Sequence, residues 1–133
     1  MDLKFRGKDK IGVWHYGGIT ELKTGRFLVR FITKSSVIPF DNSVLVDAET
    51  VGQYTGVKDK NGREIYEGDV LNCIDEDREL QWFTAVRYEN TAFCVDVENE
   101  EYNTTALGFV NFDYTEIYLA GNIYENPELL NND

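Results

Sequence analysis

Proline is scarce in this sequence, at two residues in 133, and so are cysteine, at two, and histidine, at one. A Ser-His-Asp or Cys-His catalytic set needs an imidazole base, and His15 is the one histidine there is. It lies between Trp14 and Tyr16 in a strand-forming run and reads as a structural or surface residue. Two cysteines cannot build a disulfide framework, and with one histidine they fall short of a four-ligand zinc set. Cys73 and Cys94 sit in apolar-flanked runs, which suits buried, reduced thiols. No stretch approaches the roughly 20 apolar residues of a membrane span. Met1 to Arg6 lacks the apolar core of a secretory signal. These absences read as a cytoplasmic protein with no membrane contact.

What is present is aromatic and acidic. Eight Tyr, eight Phe and two Trp make up 14% of the chain, a composition that suits half-buried pleated surfaces and excludes disorder of the chain as a whole. The net charge of -11 is uneven: residues 1–46 carry +4 and residues 47–133 carry -15. That balance disfavours direct binding to nucleic acid and to anionic membranes, whose negative charges need Lys and Arg. The asymmetry would suit head-to-tail self-association or a basic partner. The one basic region is N-terminal: Lys4, Arg6, Lys8, Lys10, Lys23, Arg26, Arg30 and Lys34.

Helical periodicity is nearly absent, while runs of four to eight strand formers recur. Strands are expected at Ile11 to Tyr16, ended by Gly17-Gly18, at Arg26 to Thr33 and at Ser43 to Val46. Asp47 is placed to cap one helical turn over residues 48–50. Gln53 to Thr55 comes next, then Asn61-Gly62, the strongest hairpin signal in the chain, and a strand over Ile65 to Ile74. Glu79 to Tyr88 and Thr91 to Val97 read as a second hairpin turning at Glu89-Asn90. Thr115 to Ala120 is a last strand, and Pro127 opens a final helical turn. Residues 98–114 show no clear pattern. Many short strands with frequent turns point to a small barrel or sandwich, an all-β fold.

The run Val51-Gly52-Gln53-Tyr54-Thr55-Gly56-Val57-Lys58-Asp59-Lys60-Asn61-Gly62-Arg63-Glu64-Ile65-Tyr66-Glu67-Gly68-Asp69-Val70 resembles the central signature of the YopX family. Lys4-Phe5-Arg6-Gly7-Lys8-Asp9 is similar to that family's start, and Ala120-Gly121-Asn122-Ile123-Tyr124-Glu125-Asn126-Pro127-Glu128-Leu129-Leu130 to its close. These blocks cover about a third of the chain. The resemblance implies a phage or prophage protein of Gram-positive bacteria and a mainly β, SH3-like barrel with additional strands and short helical turns. On that reading residues 1–133 are one domain, with the barrel core at roughly 44–130 and N-terminal strands 1–43 packed on it. It implies no enzyme activity and carries over no site residues.

Each chemical motif has a plain structural reading. A calcium loop with Gly62 at its sixth position would need ligands at Val57 and Gly68, which have none to give. The acidic clusters Asp75-Glu76-Asp77 and Glu98-Asn99-Glu100-Glu101 lack defined ligand spacing and suit solvated loops. Alternation along Ile65 to Val70 would put Glu67 and Asp69 on one strand face, about 6.5 to 7 Å apart, a spacing that permits glycosidase-type acid/base work. No Gly-rich phosphate loop opens a helix.

The expectation is therefore a non-enzymatic accessory protein with no cofactor and no metal. It would bind itself as a homo-oligomer, and a host protein as further partner, through a surface that includes Tyr54, Asp59, Glu67, Asp69 and Tyr124. Two other readings stand beside it: inhibition of a host nucleic-acid-binding protein by acidic surface mimicry, and a carboxylate-based hydrolase.

Overall fold

Short runs of Val, Ile, Tyr, Phe and Trp alternating with polar residues make strands, and tight Asp- and Gly-containing turns connect many of them. The computed structural model describes residues 3–25, 27–30, 43–97, 104–110 and 115–131. Two compact units emerge, Met1–Tyr54 and Thr55–Asp133.

The first unit is an antiparallel meander of β1 (Phe5–Lys8), β2 (Trp14–Glu21), β3 (Phe27–Arg30) and β4 (Ser43–Val46), joined at β1 by the start of β5 (Gly52–Lys58). Its order is β4-β3-β2-β1-β5. Register is set by pairs such as Lys8 with Trp14, Ile19 with Val29 and Val29 with Val44. The expected strand over Ile11 to Tyr16 instead begins at Trp14 and runs through Gly17-Gly18 to Glu21. Pairing to β1 on one side and β3 on the other outweighs the weakness of glycine in a strand. Ile11 to Val13 form a turn, because the Asp9 carboxylate accepts the N–H groups of Ile11 at 3.0 Å and Val13 at 2.9 Å. The turn at Ala48–Thr50 forms where expected, with Asp47 as its cap accepting Glu49 N–H at 3.1 Å. It is fastened to β1, since Asp47 N–H donates to the Lys8 carbonyl and Lys8 N–H to the Thr50 hydroxyl, both at 2.8 Å. Gly7 has to be glycine here, because a Cβ would lie 2.6 Å from a Val46 methyl.

The second unit takes up β5 and adds β6 (Glu64–Tyr66), β7 (Asp69–Asp75), β8 (Leu80–Ala85), β9 (Arg87–Glu89), β10 (Ala92–Asp96), β11 (Thr104–Ala106) and β12 (Thr115–Asn122). Two three-stranded sheets, β12-β7-β8 and β11-β10-β9, enclose Ile65, Leu71, Cys73, Trp82, Val86, Val95, Leu107 and Ile117. Cys73 lies between its cross-strand partners Ile117 and Trp82, so one face of β7 feeds the core. Burial of each large side chain contributes about 1.5–3 kcal/mol. The Trp82 indole donates to the Asp96 carbonyl at 3.0 Å and Asp96 N–H to the Thr84 hydroxyl at 2.7 Å, which ties β8 to β10.

The first hairpin is found. The strand expected over Glu79 to Tyr88 instead breaks at Val86 into β8, which pairs with β7, and β9, which alone forms the second hairpin with β10. In the first, Gly62 alone takes a positive φ, +81°, and Asn61 does not. In the second the turn is Asn90-Thr91, both at positive φ, and Ala92 pairs with Glu89. The strand expected over Ile65 to Ile74 is broken at Glu67-Gly68, where Gly68 turns at φ +92° between β6 and β7. The patternless stretch holds β11 and a single turn at Leu107–Phe109 among its described residues. The all-β class is the one observed. The strand orders are open ones, so the described residues form antiparallel sheets and not a closed barrel.

Candidate functional site

The five residues singled out from the sequence fall into different surroundings. Tyr54 belongs to the first unit, where it is buried. Its N–H donates to the Lys4 carbonyl at 2.7 Å, and the Lys4 ammonium lies 5.5 Å from the ring centroid. The other four belong to the second unit, and two of them are buried carboxylates serving the backbone.

Asp59 is the denser of these. One carboxylate oxygen accepts Asn61 N–H at 2.9 Å and Arg63 N–H at 2.8 Å; the other accepts Leu119 N–H at 2.9 Å and lies 3.5 Å from Arg63 Nε. Burial alone would push this carboxyl up. The N–H groups of Leu119, Arg63 and Asn61, together with the Arg63 charge, outweigh it and hold the group below the ordinary carboxylate value. Lys60 N–H donates to the Ile117 carbonyl at 2.9 Å, so the hairpin is bonded to β12 at two points.

Asp69 is 1% exposed and accepts Tyr66 N–H at 2.7 Å across the Glu67-Gly68 turn. Glu67 and Asp69 therefore do not share the strand face that alternation suggested, since one lies in the turn and the other is buried at the start of β7. Tyr124 lies against that turn: a Cβ on Gly68 would be 3.1 Å from its ring, and Ile123 N–H donates to the Gly68 carbonyl at 2.8 Å. Asn122 accepts the N–H groups of Tyr124 at 3.0 Å and Glu125 at 2.9 Å, while the Asn126 side chain accepts Asn122 N–H at 3.2 Å. Sequence reasoning passed over Asn122 and Asn126, although two Asn four apart beside Gly121 and Pro127 are a turn signal. The middle and closing blocks of the sequence are thus bonded to one another, and their polar residues hold turns.

Other reactive groups are similarly engaged. Burial pushes the Cys73 thiol up to about 12, which keeps it protonated and poorly nucleophilic. Cys94 is also buried, and neither cysteine is in a disulfide. His15 Nε2 lies 2.8 Å from an Asp9 carboxylate oxygen, and that hydrogen bond, with those from Val13 and Ile11, holds Asp9 below its ordinary value. Asp75 is bound to Arg78 Nε at 2.7 Å. The cluster at residues 98–101 lies outside the described residues. Among the described residues no three His, Cys, Asp or Glu side chains converge on a metal-sized site. On β1, Arg6 and Lys8 lie over the Trp14 ring at 4.6 and 5.8 Å. Arg26 and Lys34 lie outside the described residues.

Two concavities are lined by described residues. In the second unit a cleft of about 220 Å³ is lined by Lys58, Asp59, Lys60, Thr115, Glu116 and Ile117. Beside it the Tyr118 hydroxyl donates to Glu116, which pushes the phenol up. The larger is in the first unit, a groove of about 770 Å³ walled by Val44, Leu45, Val46 and Ala48, with Ile11, Lys10, Asp9, Gly25 and Asp47 around it. Ile11 is 79% exposed at its rim, and Val13 of the same turn is also exposed. The groove was hidden from sequence reading because Ile11 and Val13 were assigned to a strand.

The family model described as YopX protein matches residues 4–131. The chain belongs to the YopX family. It is 34% identical over 71 residues to the SPbeta prophage-derived uncharacterized protein YopX of Bacillus subtilis (strain 168), an alignment that takes in 52% of each chain, so the matched part spans about half of that relative. The crystal structure of protein yopX from Bacillus subtilis is similar in fold, with a TM-score of 0.64 at 24% identity over 98% of this chain and 99% of that one. In this YopX-family chain the residues that resemble the family's blocks are those that bond the turns at Asp59, Gly68 and Asn122, which gives a structural reason for their pattern. No helix among the described residues is long and apolar enough to cross a membrane.

Proposed function

We propose that this YopX-family protein is a prophage accessory protein that works by binding protein, first a second copy of itself and then a host protein, and performs no catalysis of its own. The observation that carries the reading is the groove of the first unit, with an apolar wall and the exposed side chain of Ile11 at its rim. Apolar surface of this kind is what protein contacts remove from water. Charge supports a second copy as occupant. Residues 1–54 carry eight Lys and Arg against six Asp and Glu, a net +2, whereas residues 55–133 carry five against eighteen, a net -13. Opposite signs in the two segments favour a heterologous contact between copies, which leads to rings or open chains. Sedimentation velocity over a concentration series, at low and high salt, tests this. Association that weakens with salt is the expected result, and a monomer at micromolar concentration in low salt would overturn it.

A second reading, mimicry of nucleic acid towards a basic host protein, is favoured by a different observation. Three of the five cations of the second unit are tied to its own carboxylates: Arg63 to Asp59, Arg78 to Asp75, and Arg87 to Glu89 and Asp96. With those cations so engaged, exposed carboxylates such as Glu76, Asp77, Glu79 and Glu128 add to the acidic surface of this unit. Affinity capture from a Gram-positive lysate across a salt series would return one basic host protein, lost as salt rises. Recovery of the protein alone would leave self-association.

A further inference from the structure

We infer that Asn61-Gly62, the one Asn-Gly step in the sequence, is a latent deamidation site that the Asp59 turn holds closed and that becomes reactive when the hairpin opens. In the reaction the Gly62 backbone nitrogen gives up its proton and attacks Cγ of the Asn61 amide. The Cγ–N bond breaks, ammonia leaves carrying that proton, and a cyclic imide joins the two residues. Water then opens either carbonyl, leaving aspartate or isoaspartate, with no oxidant or reductant required. Glycine suits the nucleophile's position because it puts no side chain in the way, and the space around Gly62 is open. Residues 60–63 are exposed, so water has access.

The folded turn restrains the backbone on which the attack depends. Gly62 N–H, the proton that must leave, is donated to the Asp59 carbonyl at 3.0 Å. Asn61 N–H and Arg63 N–H are held by the Asp59 carboxylate at 2.9 and 2.8 Å, and Asp59 N–H by the Arg63 carbonyl at 2.8 Å. The peptide between Asn61 and Gly62 cannot swing towards the side chain without breaking this set. Conversion is one-way. Isoaspartate adds a carbon to the backbone between Asp59 and Arg63, which destroys their register, and either product adds a negative charge beside buried Asp59. The modified residue therefore records that the hairpin has opened.

The test compares the folded full chain with the guanidinium-unfolded chain at one mildly alkaline pH, using peptide mass mapping of conversion at Asn61 and, as internal reference, at Asn90, which precedes Thr91. The unfolded chain should convert Asn61 ahead of Asn90, and the folded chain should convert it slower by about tenfold or more, in proportion to the fraction of time the turn is open. Asp59→Ala, if folded by circular dichroism, should close most of that gap. In the wild type, low guanidinium below the unfolding transition should already raise the rate, a readout that needs no variant. Equal rates in folded and unfolded chains, or Asn90 outpacing Asn61 when unfolded, would overturn the inference.

Discussion

The carboxylate of Asp59 accepts the backbone N–H of Leu119, 60 residues further along the chain, at 2.9 Å. With Asn61 and Arg63 bound to its other oxygen, one side chain closes a hairpin and fastens it to β12. Removing it takes the acceptor from three part-buried backbone N–H groups, each such hydrogen bond being worth about 1 kcal/mol. Asp59→Ala is expected to lose about 3 kcal/mol or more in urea unfolding, and Asp59→Asn, which keeps one acceptor and places an amide against a donor, somewhat less. A loss below about 1 kcal/mol in Asp59→Ala would show that the turn holds without its carboxylate.

The same group sets a pH dependence. Its folded pKa lies below the ordinary 3.8, so folding favours the ionised form. The stability this contributes is fully present above the unfolded carboxylate value and is lost as pH falls through the lower, folded value. Asp9 and Asp75 are shifted in the same direction, by His15 and Arg78 respectively. Stability of the wild type should thus fall as pH drops below about 4, and Asp59→Asn should show a shallower fall over the same window. An unchanged slope in the variant would assign the acid sensitivity to the other carboxyls.

Gly121 and Asn126 are predicted to be coupled. A Cβ on Gly121 would lie 2.4 Å from Asn126 Oδ1, the atom that accepts Asn122 N–H. Gly121→Ala should cost about 1–3 kcal/mol by forcing that side chain away. Asn126→Ala alone should cost about 1 kcal/mol through the lost hydrogen bond. In the double variant the clash is gone, so the costs should fall short of additive by about 0.5 kcal/mol or more. Strict additivity in a double-mutant cycle would refute the contact.

The turn Asn90-Thr91 predicts a stabilising change. Thr91 is β-branched and sits at φ +65°, where side chains crowd the backbone, after Asn90 at φ +51°. Two-residue hairpin turns of this geometry favour Asn-Gly. Thr91→Gly is expected to stabilise the fold by about 1 kcal/mol, read as a higher urea midpoint. A lower midpoint would mean that the strain is smaller than glycine's extra unfolded-state entropy.

How much of this was legible varied with the range of the interaction. The cap at Asp47, β4 and the Asn61-Gly62 hairpin depend on neighbours within a few residues, so the local pattern predicts them. The burial of Asp69 and the break at Glu67-Gly68 do not follow from alternation, because Tyr66 N–H and the Tyr124 ring, distant from each other in sequence, decide them. Asp59 could be read as a turn residue, yet its bond to Leu119 is invisible in a linear pattern. The candidate surface fared similarly: an acidic residue in a strand-like run looks available until the backbone donors that claim it are seen. Ile11 and Val13 were mistaken in the opposite sense, since a strand pattern would partly bury residues that the Asp9 turn leaves exposed.

That exposure gives the self-association reading its sharpest test. Ile11 is 79% exposed in the monomer, so replacing it should change stability by no more than about 0.5 kcal/mol. If a second copy covers the groove, the same side chain becomes buried on association, which is worth about 1.5–3 kcal/mol. Ile11→Ser should therefore weaken association by about tenfold to a hundredfold in sedimentation while leaving the urea midpoint in place. Leu3, 69% exposed in the same unit but outside the groove lining, supplies the control, and Leu3→Ser should associate as the wild type does. Equal weakening in both variants would move the contact away from the groove. No weakening in Ile11→Ser would leave the exposed isoleucine to some other partner, and the acidic second unit would become the surface to pursue.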